Sequence, residues 1–516
     1  MLFVEDISQK IEEINSIYDL IAYCYCYLMD NIGNPIIFLG EYIDKNETLK
    51  RNNPNLERLD KFSMQIKYIM EQDSFTVFSS VSNFQRILDL IKTTEASLVE
   101  YGDKTLNYAT IPYYMLQGLD LYFEDCDYET YKISPLNDYN KDGCFIYVNK
   151  NLSLMDDIIK NKTYPSIVHT NDIRYGFNHI IIMLKEELPK GYGIPKLVTL
   201  SKQDEFINRI VENKKIKIAV IPVMRDKWFE FNIVGGSSFI VQYTDEEMIK
   251  VQEKVIALLK WAIESGANII IFPEYTCKEE IQKEICKKLS EMAESYPERM
   301  EELLFVISGS GWTSDSNNVS CLYSYDGYLL GRVYKYSAFD KNIKETKYME
   351  RLRNPGKEIT LIKIPGIGIC QTEICRNVSE NKFSHKLAQV FNTQFLLIPA
   401  WSNSVNIAFK TPLNSIIAAN HRTCAVVCNC CAAFEDEKDF KNKIGIIAVP
   451  QKNVSVVEGC FTYIERTKEV CDACCEYGCM FEVCFDFNGT HEKDIEVICE
   501  FRKRLEMQSG CVYNNG

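Results

Sequence analysis

The stretch EITLIKIPGIGICQTEICR, residues 358–376, constrains this chain more than any other. Its short Ile-rich runs, broken at Pro365-Gly366, fit a pleated sheet better than a helix, because β-branched side chains pack well on a strand. A strand that stops at Ile374-Cys375-Arg376 sets a thiol where a helix can begin. Helix N–H groups and the adjacent guanidinium of Arg376 both favour a thiolate at such a place. That alone does not single out Cys375. The chain holds 21 cysteines, and a cysteine on an apolar strand is ordinarily a small buried hydrophobe.

The surroundings of Cys375 narrow the choice. Upstream, GANIIIFPEYT is a buried-strand run that ends in Pro273-Glu274, so a carboxylate stands at a strand's carboxyl end. Between the two, DGYLLGRVYKYSAF carries a hairpin signal at Asp326-Gly327 and Lys335 at the end of the returning strand. After Cys375 comes a helix-length polar segment and then TQFLLIPAWSNS, another buried strand with its own terminal loop. Strand ends of a layered α/β sheet converge on one edge, so the pattern brings Glu, Lys and Cys toward a single place.

In their order and flanks, Glu274 in FPEYT, Lys335 in GRVYKYSAF and Cys375 in EICRN resemble the Glu-Lys-Cys set of the nitrilase (carbon–nitrogen hydrolase) superfamily. VSCLYSYDGYLLG before the lysine, Glu350 in MERLRNPGKEI ahead of a strand, and FLLIPAWS after the cysteine are similar too. The resemblance covers residues 216–490. It implies an α-β-β-α sandwich that pairs into four layers, here preceded by a mixed α/β accessory domain. It also implies a cysteine-dependent hydrolase of a non-peptide amide or nitrile bond, working through a thioester. Cys375 would be the nucleophile, Glu274 the general base and acid, Lys335 the oxyanion stabiliser, and Glu350 the residue that orients Lys335 or water. Tyr275, Arg376 and Trp401 would line the pocket. Cys370 is the rival nucleophile, but only Cys375 leaves room before Pro399 for one helix of the family's length. The chain departs from the family directly after the nucleophile, where Arg376 and Asn377 replace the usual aromatic and acidic pair. This leaves the reaction type in place and sets the usual substrate preferences aside.

Composition bounds the alternatives. The 516 residues are 46% hydrophobic and 25% charged, a globular balance with enough apolar content for a large core. A net charge of −14 argues against a general nucleic-acid or bilayer surface, since phosphate binding needs clustered Lys and Arg. The opening MLFVEDISQKIEEIN has no basic segment followed by an apolar core, so it does not read as a secretory signal, and the expectation is a cytoplasmic protein with reduced thiols. Two cysteine clusters stand out: Cys424, Cys428, Cys430 and Cys431, and Cys471, Cys474, Cys475 and Cys479. Zinc at Cys471, Cys474 and Cys479 lacks an evident fourth ligand, so free thiols are the reading, with neither metal nor cofactor expected. His421 reads as a core or interface histidine.

Residues 1–212 carry no P-loop, dinucleotide-binding turn or metal-type spacing. FSMQIKYIM and NFQRILDLIKTTEASLVEY have helical spacing, while DGCFIYVNKN and PSIVHTNDI read as strands. The expected division is an accessory domain at 1–212, mostly helical with a few strands, a catalytic domain at 213–500 and a tail at 501–516. Partners are expected to be a small-molecule amide or nitrile and further copies of the chain, at least a dimer, through apolar helix positions Phe383, Leu387, Val390, Ile416 and Ile417. A protein partner through residues 1–212 is a further expectation. Two other functions fit the same residues: acyl transfer from the thioester to an amine or thiol, and a scaffold or regulatory role in a multi-component, for example defence, assembly.

Overall fold

The computed structural model describes, with short interruptions, residues 193–503 and, before them, 3–32, 55–72, 81–98, 104–125, 139–148 and 177–184. The strand expected at PSIVHTNDI, His421, and the tail beyond Lys503 lie outside the described residues. The chain divides into two compact units, the first made chiefly of residues 1–152 and 159–189, the second chiefly of 190–388 and 392–516.

In the first unit, helices Phe3–Gln9, Ile17–Ile32, Leu56–Gln72, Val81–Ser97 and Lys104–Asp125 accompany a three-stranded antiparallel sheet of β1 (Tyr139–Lys141), β2 (Cys144–Val148) and β3 (Ile180–Leu184). Phe62, Ile66, Tyr113, Met115 and Phe177 belong to its apolar core. Buried Asp120 accepts hydrogen bonds from the backbone N–H groups of His179 and Ile180 at 2.7 and 2.8 Å, tying the third strand to the last helix. Gly118 is needed there, because a Cβ would lie 2.6 Å from the Ser63 carbonyl oxygen of the facing helix.

The second unit holds two seven-stranded sheets and one of four strands. The first large sheet has parallel β5 (Lys215–Val220), β8 (Ile269–Ile271) and β9 (Phe305–Trp312) at its centre. Antiparallel β10 (Asn318–Ser324) and β11 (Leu329–Tyr334) extend one side, and β20 (Cys479–Asp486) and β21 (Glu496–Lys503) the other. The second large sheet runs from β4 (Pro195–Thr199) through β14 (Ile359–Ile364), β15 (Gly368–Thr372), β16 (Phe395–Ala400), β17 (Cys424–Asn429) and β18 (Lys443–Lys452) to β19 (Val457–Glu465), with β15, β16 and β17 parallel. Strands β9, β10, β14, β15, β16 and β17 are buried at every residue, the pattern of strands covered on both faces.

The two large sheets pack on one another. Phe395 of β16 lies against Phe485 of β20 at 5.5 Å between ring centroids, and the Cys428 thiol of β17 donates to the carbonyls of Ile221 and Ile271 at the ends of β5 and β8. Helices Asp245–Glu264 and Glu279–Ser295 pack on the first sheet, and helix Val405–Asn420 on the second. Helix Asp245–Glu264 starts at a capping box, in which Thr244 accepts from the Glu247 N–H and Glu247 accepts from the Thr244 N–H. Gly266 follows its last turn with φ +74°, a left-handed cap that glycine adopts without a Cβ penalty.

Three expectations change here. The boundary lies near residue 190 rather than 212, because KLVTLSKQDEFINRI is not a linker: it supplies β4, which pairs in parallel with β14, and helix Asp204–Asn213. The segment after Cys375 is two helical pieces, Arg376–Glu380 and Lys382–Val390. Phe383, Leu387, Val390, Ile416 and Ile417, expected at the face of a second copy, are buried rather than exposed.

Candidate active site

Glu274 lies just beyond β8, Lys335 just beyond β11 and Cys375 just beyond β15. Glu350 is the last residue of β13 (Thr346–Glu350) in the four-stranded sheet of β12 (Asp340–Ile343), β13, β7 (Ser238–Gln242) and β6 (Glu230–Val234). The charge-rich segment around Glu350 reads as a solvated loop. Its strand instead pairs in parallel with β7 and carries the carboxylate inward. The four side chains come together at the ends of their strands, with exposures of 0% for Glu274, 1% for Lys335, 2% for Glu350 and 6% for Cys375.

The centre is an ammonium between two carboxylates. Lys335 Nζ donates to Glu274 Oε1 at 2.6 Å, lies 2.7 Å from Glu350 Oε2, and donates to the Tyr275 hydroxyl at 3.3 Å. Tyr275 in turn donates to Glu350 Oε1 at 2.7 Å. Asn318, at the start of β10, donates its side-chain amide to Glu274 Oε1 at 2.9 Å and to Glu350 Oε1 at 3.2 Å. The Phe339 N–H completes the set on Glu350 Oε2 at 3.0 Å. Burial by itself would lower the lysine's affinity for its proton, but Glu274 and Glu350 outweigh it and hold Lys335 above its ordinary range. Burial, reinforced by Glu350, raises the Glu274 carboxyl against the opposing pull of Lys335.

Glu274 Oε2 has no hydrogen-bond partner, and the Cys375 thiol is near enough for the two groups to influence each other's titration. A buried carboxylate oxygen without a partner is costly unless it has work to do. Glu274 thus keeps an idle acceptor in the neighbourhood of the thiol.

Cys375 sits in a left-handed turn with φ +45°, between β15 and helix Arg376–Glu380. Its thiol is not the ready thiolate that its place in the sequence suggests. Burial first, then the nearby Glu274 carboxylate, push it well above the usual cysteine value. The Arg376 guanidinium turns to Asp340, at 3.3 Å. Cys375 therefore needs a base to react.

The end of β16 holds Glu274 and Cys375 through its backbone. The Cys375 N–H donates to the Pro399 carbonyl at 2.9 Å, the Glu274 N–H to the Ala400 carbonyl at 3.3 Å, and the Cys375 thiol to the Trp401 carbonyl at 3.7 Å. The Trp401 ring packs on Phe229 and Tyr275, at 4.6 and 6.1 Å between centroids. Tyr275, like Cys375, has a positive φ, +61°, and its carbonyl accepts a hydrogen bond from the Tyr243 hydroxyl.

Sequence reasoning does not find Asn318, Asn377 or Glu373. Asn377 accepts from the N–H groups of Tyr336 and Ser337, both at 3.0 Å, and donates to the Tyr334 carbonyl at 3.1 Å, so it grips the chain on both sides of Lys335. Glu373 accepts from Gln371, Tyr336 and Asn377 at 3.0–3.2 Å. Its burial still pushes its carboxyl up to about 7. Among the described residues, no group of three or more His, Cys, Asp or Glu side chains is placed to hold a metal ion, and no helix is long and apolar enough to cross a membrane.

The chain is similar to solved structures of nitrilase-superfamily proteins. The NitFhit protein of C. elegans matches with 16% identity and a TM-score of 0.31, over 49% of this chain and 61% of that one. A branch 10 member of the superfamily from Saccharomyces cerevisiae matches with 14% identity and a TM-score of 0.32, over 50% and 92% of the two chains. An amidase from Nesterenkonia sp. matches with 11% identity and a TM-score of 0.31, over 48% and 89%. This chain thus spans less than two thirds of the C. elegans protein. No family model matches the sequence, and no curated protein matches it.

Proposed function

We propose that the chain is a cysteine-dependent hydrolase of a non-peptide carbon–nitrogen bond, with an amide or nitrile as substrate. The single observation behind this reading is the buried Glu274–Lys335–Glu350 set, 2.6 and 2.7 Å across its ion pairs, with Glu274 Oε2 left open beside the Cys375 thiol. The order of these residues in the sequence and its likeness to the nitrilase superfamily support it independently.

In this reading Glu274 takes the thiol proton as the Cys375 sulfur attacks the carbonyl or nitrile carbon. With an amide, the proton passes to the departing nitrogen, leaving an acyl thioester on Cys375. Glu274 then draws a proton from water as the water attacks the thioester, releasing the acid and restoring the thiol. The raised Glu274 carboxyl suits both directions of transfer. Lys335 opposes the negative charge that grows in each tetrahedral step. All three of its N–H directions are engaged, on Glu274, Glu350 and Tyr275, so it acts through its fixed charge and Glu350 is what fixes it.

The test is the intact mass of the protein after incubation with a panel of amides and nitriles. An acyl adduct on Cys375 that decays in water supports hydrolysis. A panel that leaves no adduct and yields no acid, on a folded protein, overturns it. If added amines capture the acyl group faster than water does, the activity is acyl transfer. The scaffold reading has against it that the chain keeps Glu274 and Lys335 as a buried ion pair, with the Cys375 thiol buried beside them.

A further inference from the structure

The second cysteine cluster of the sequence is closed in space by a member of the first. Cys431 lies in the short turn after β17, Cys471 and Cys474 in helix Lys468–Cys475, and Cys479 at the start of β20. All four are buried, none exposed above 2%. Cys474 Sγ is 3.2 Å from Cys479 Sγ and 3.7 Å from Cys431 Sγ, and Cys431 also bonds Cys471. The thiols form a chain in the order Cys471, Cys431, Cys474, Cys479, and among the described residues no such group is placed to hold a metal ion.

We propose that Cys474 and Cys479 are a peroxide-reactive dithiol that closes to a disulfide. The pair is the tightest in the cluster, and an S–S bond of about 2.05 Å needs only about 1 Å of approach from where the sulfurs stand. Gly478, at φ +95°, already turns the chain back so that the two sulfurs face each other, and its N–H is bonded to the Ala473 carbonyl at 2.6 Å. The chemistry balances in two steps. The Cys474 thiolate attacks one peroxide oxygen and, with one proton taken up, gives a sulfenic acid and water. The Cys479 sulfur then displaces the sulfenic hydroxyl, its own proton leaving with that hydroxyl as a second water. Two thiols are oxidised and one peroxide is reduced.

The surroundings distinguish Cys474 from the other buried cysteines. Burial pushes Cys277 up to about 12 and Cys499 up to about 11, and raises Cys370 and Cys424 further. Cys474 goes the other way: S–H groups of Cys431 and Cys479 donate to it, and Lys254, which donates to the Cys474 carbonyl, adds positive charge; Cys471 is lowered too, to about 7, by Cys431 and Arg466, but has no partner sulfur as near as Cys479 is to Cys474. The reactive form is the thiolate, so Cys474 carries a larger reactive fraction at neutral pH than Cys277, Cys370, Cys424 or Cys499. The burial of the whole cluster restricts it to a small oxidant.

The experiment is a titration of the reduced full chain with hydrogen peroxide, followed by alkylation of remaining thiols under denaturing conditions and non-reducing peptide mapping. The expected result is a Cys474–Cys479 crosslinked peptide that accumulates roughly tenfold or more faster than Cys370 or Cys424 loses its alkylated form. In Cys479→Ser, Cys474 should stop at the sulfenic acid and be trapped by dimedone. A dominant Cys431–Cys474 crosslink, oxidation no faster than at Cys370, or a stoichiometric bound metal ion in native mass spectrometry that must be stripped before oxidation would each overturn the proposal. The wild-type peptide map decides the matter even if the serine variant does not fold.

Discussion

Lys335→Met tests the centre of the site most directly, because methionine keeps the length and apolar stem and removes only the charge. The substitution strands Glu274 and Glu350 side by side, both fully buried and both formerly within 2.7 Å of the ammonium. Removing one partner of a buried ion pair costs roughly 3–5 kcal/mol. The protein can limit that loss by binding a proton, and this makes the cost depend on pH. Keeping a proton on a carboxyl of ordinary value about 4.3 costs about 1.36 kcal/mol per pH unit above it, so one proton caps the electrostatic loss near 4 kcal/mol at pH 7. In the folded variant the carboxyl value is raised, so between about pH 4.3 and that raised value the folded state binds more protons than the unfolded one. Stability relative to wild type must then fall as pH rises. Urea unfolding of both proteins at pH 5 and pH 7.5, followed by tryptophan fluorescence, should show a deficit several-fold larger at pH 7.5. Adding Glu350→Gln to the variant should recover part of it. Single-turnover acylation should slow on the order of 10²-fold, for about 3 kcal/mol of lost transition-state stabilisation. A deficit equal at both pH values would mean that lost packing, not stranded charge, sets the cost, and acylation at the wild-type rate would remove Lys335 from the chemistry.

Three further outcomes are expected. Cys375→Ala should abolish adduct formation and turnover while Cys370→Ala spares both, since Cys370 lies within β15 and burial alone raises its thiol; intact mass with an amide panel reads this, and the reverse result would move the nucleophile. Glu373, with its carboxyl raised to about 7, keeps a proton in the folded state that the unfolded chain has lost, so its contribution to stability is best below pH 4.5 and declines by about 3 kcal/mol as pH rises to 7; in Glu373→Gln that slope should vanish from urea midpoints measured across the range, and an unchanged slope would contradict it. Gly309→Ala should cost both stability and activity, because at φ +73° its Cβ would lie 2.5 Å from the Pro273 carbonyl oxygen and so shift the loop that carries Glu274; a normal melting temperature with normal turnover would refute the steric argument.

Where the sequence is legible, the reason is local. NIIIFPE, LLGRVYK and TLIKIPGIGICQTEICR each announce a strand by an apolar run and a candidate site residue by where the run stops, and the hairpin at Asp326-Gly327 places Lys335 with no knowledge of the rest; Gly327 has φ +84°. Glu350 is recognisable only by resemblance, because its burial comes from the pairing of β13 with β7, which are over a hundred residues apart. The same holds for β4, whose partner β14 is equally remote, so a polar-looking stretch passes for a linker. Asn318 and Asn377 leave no local signal, since an asparagine at a strand start or in a first helical turn ordinarily serves as a cap or turn residue. The apolar helix positions at 383–417 are buried, and their periodicity says as much: a pattern reports that a face is covered and not what covers it.

The last residues of β16 carry a consequence for how such a site drifts over time. Pro399 and Ala400, with Trp401 just beyond the strand, hold Glu274 and Cys375, the proposed base and nucleophile, by three consecutive carbonyl oxygens, and every amino acid has that oxygen. The ruler that spaces the two reactive groups is thus written in peptide units, and the side chains along it are free to change as long as the strand remains a strand. Ancestry is recorded in side chains, whereas this spacing is not. Two chains can diverge until almost no identity links them and still keep the thiol and the carboxylate at the same separation.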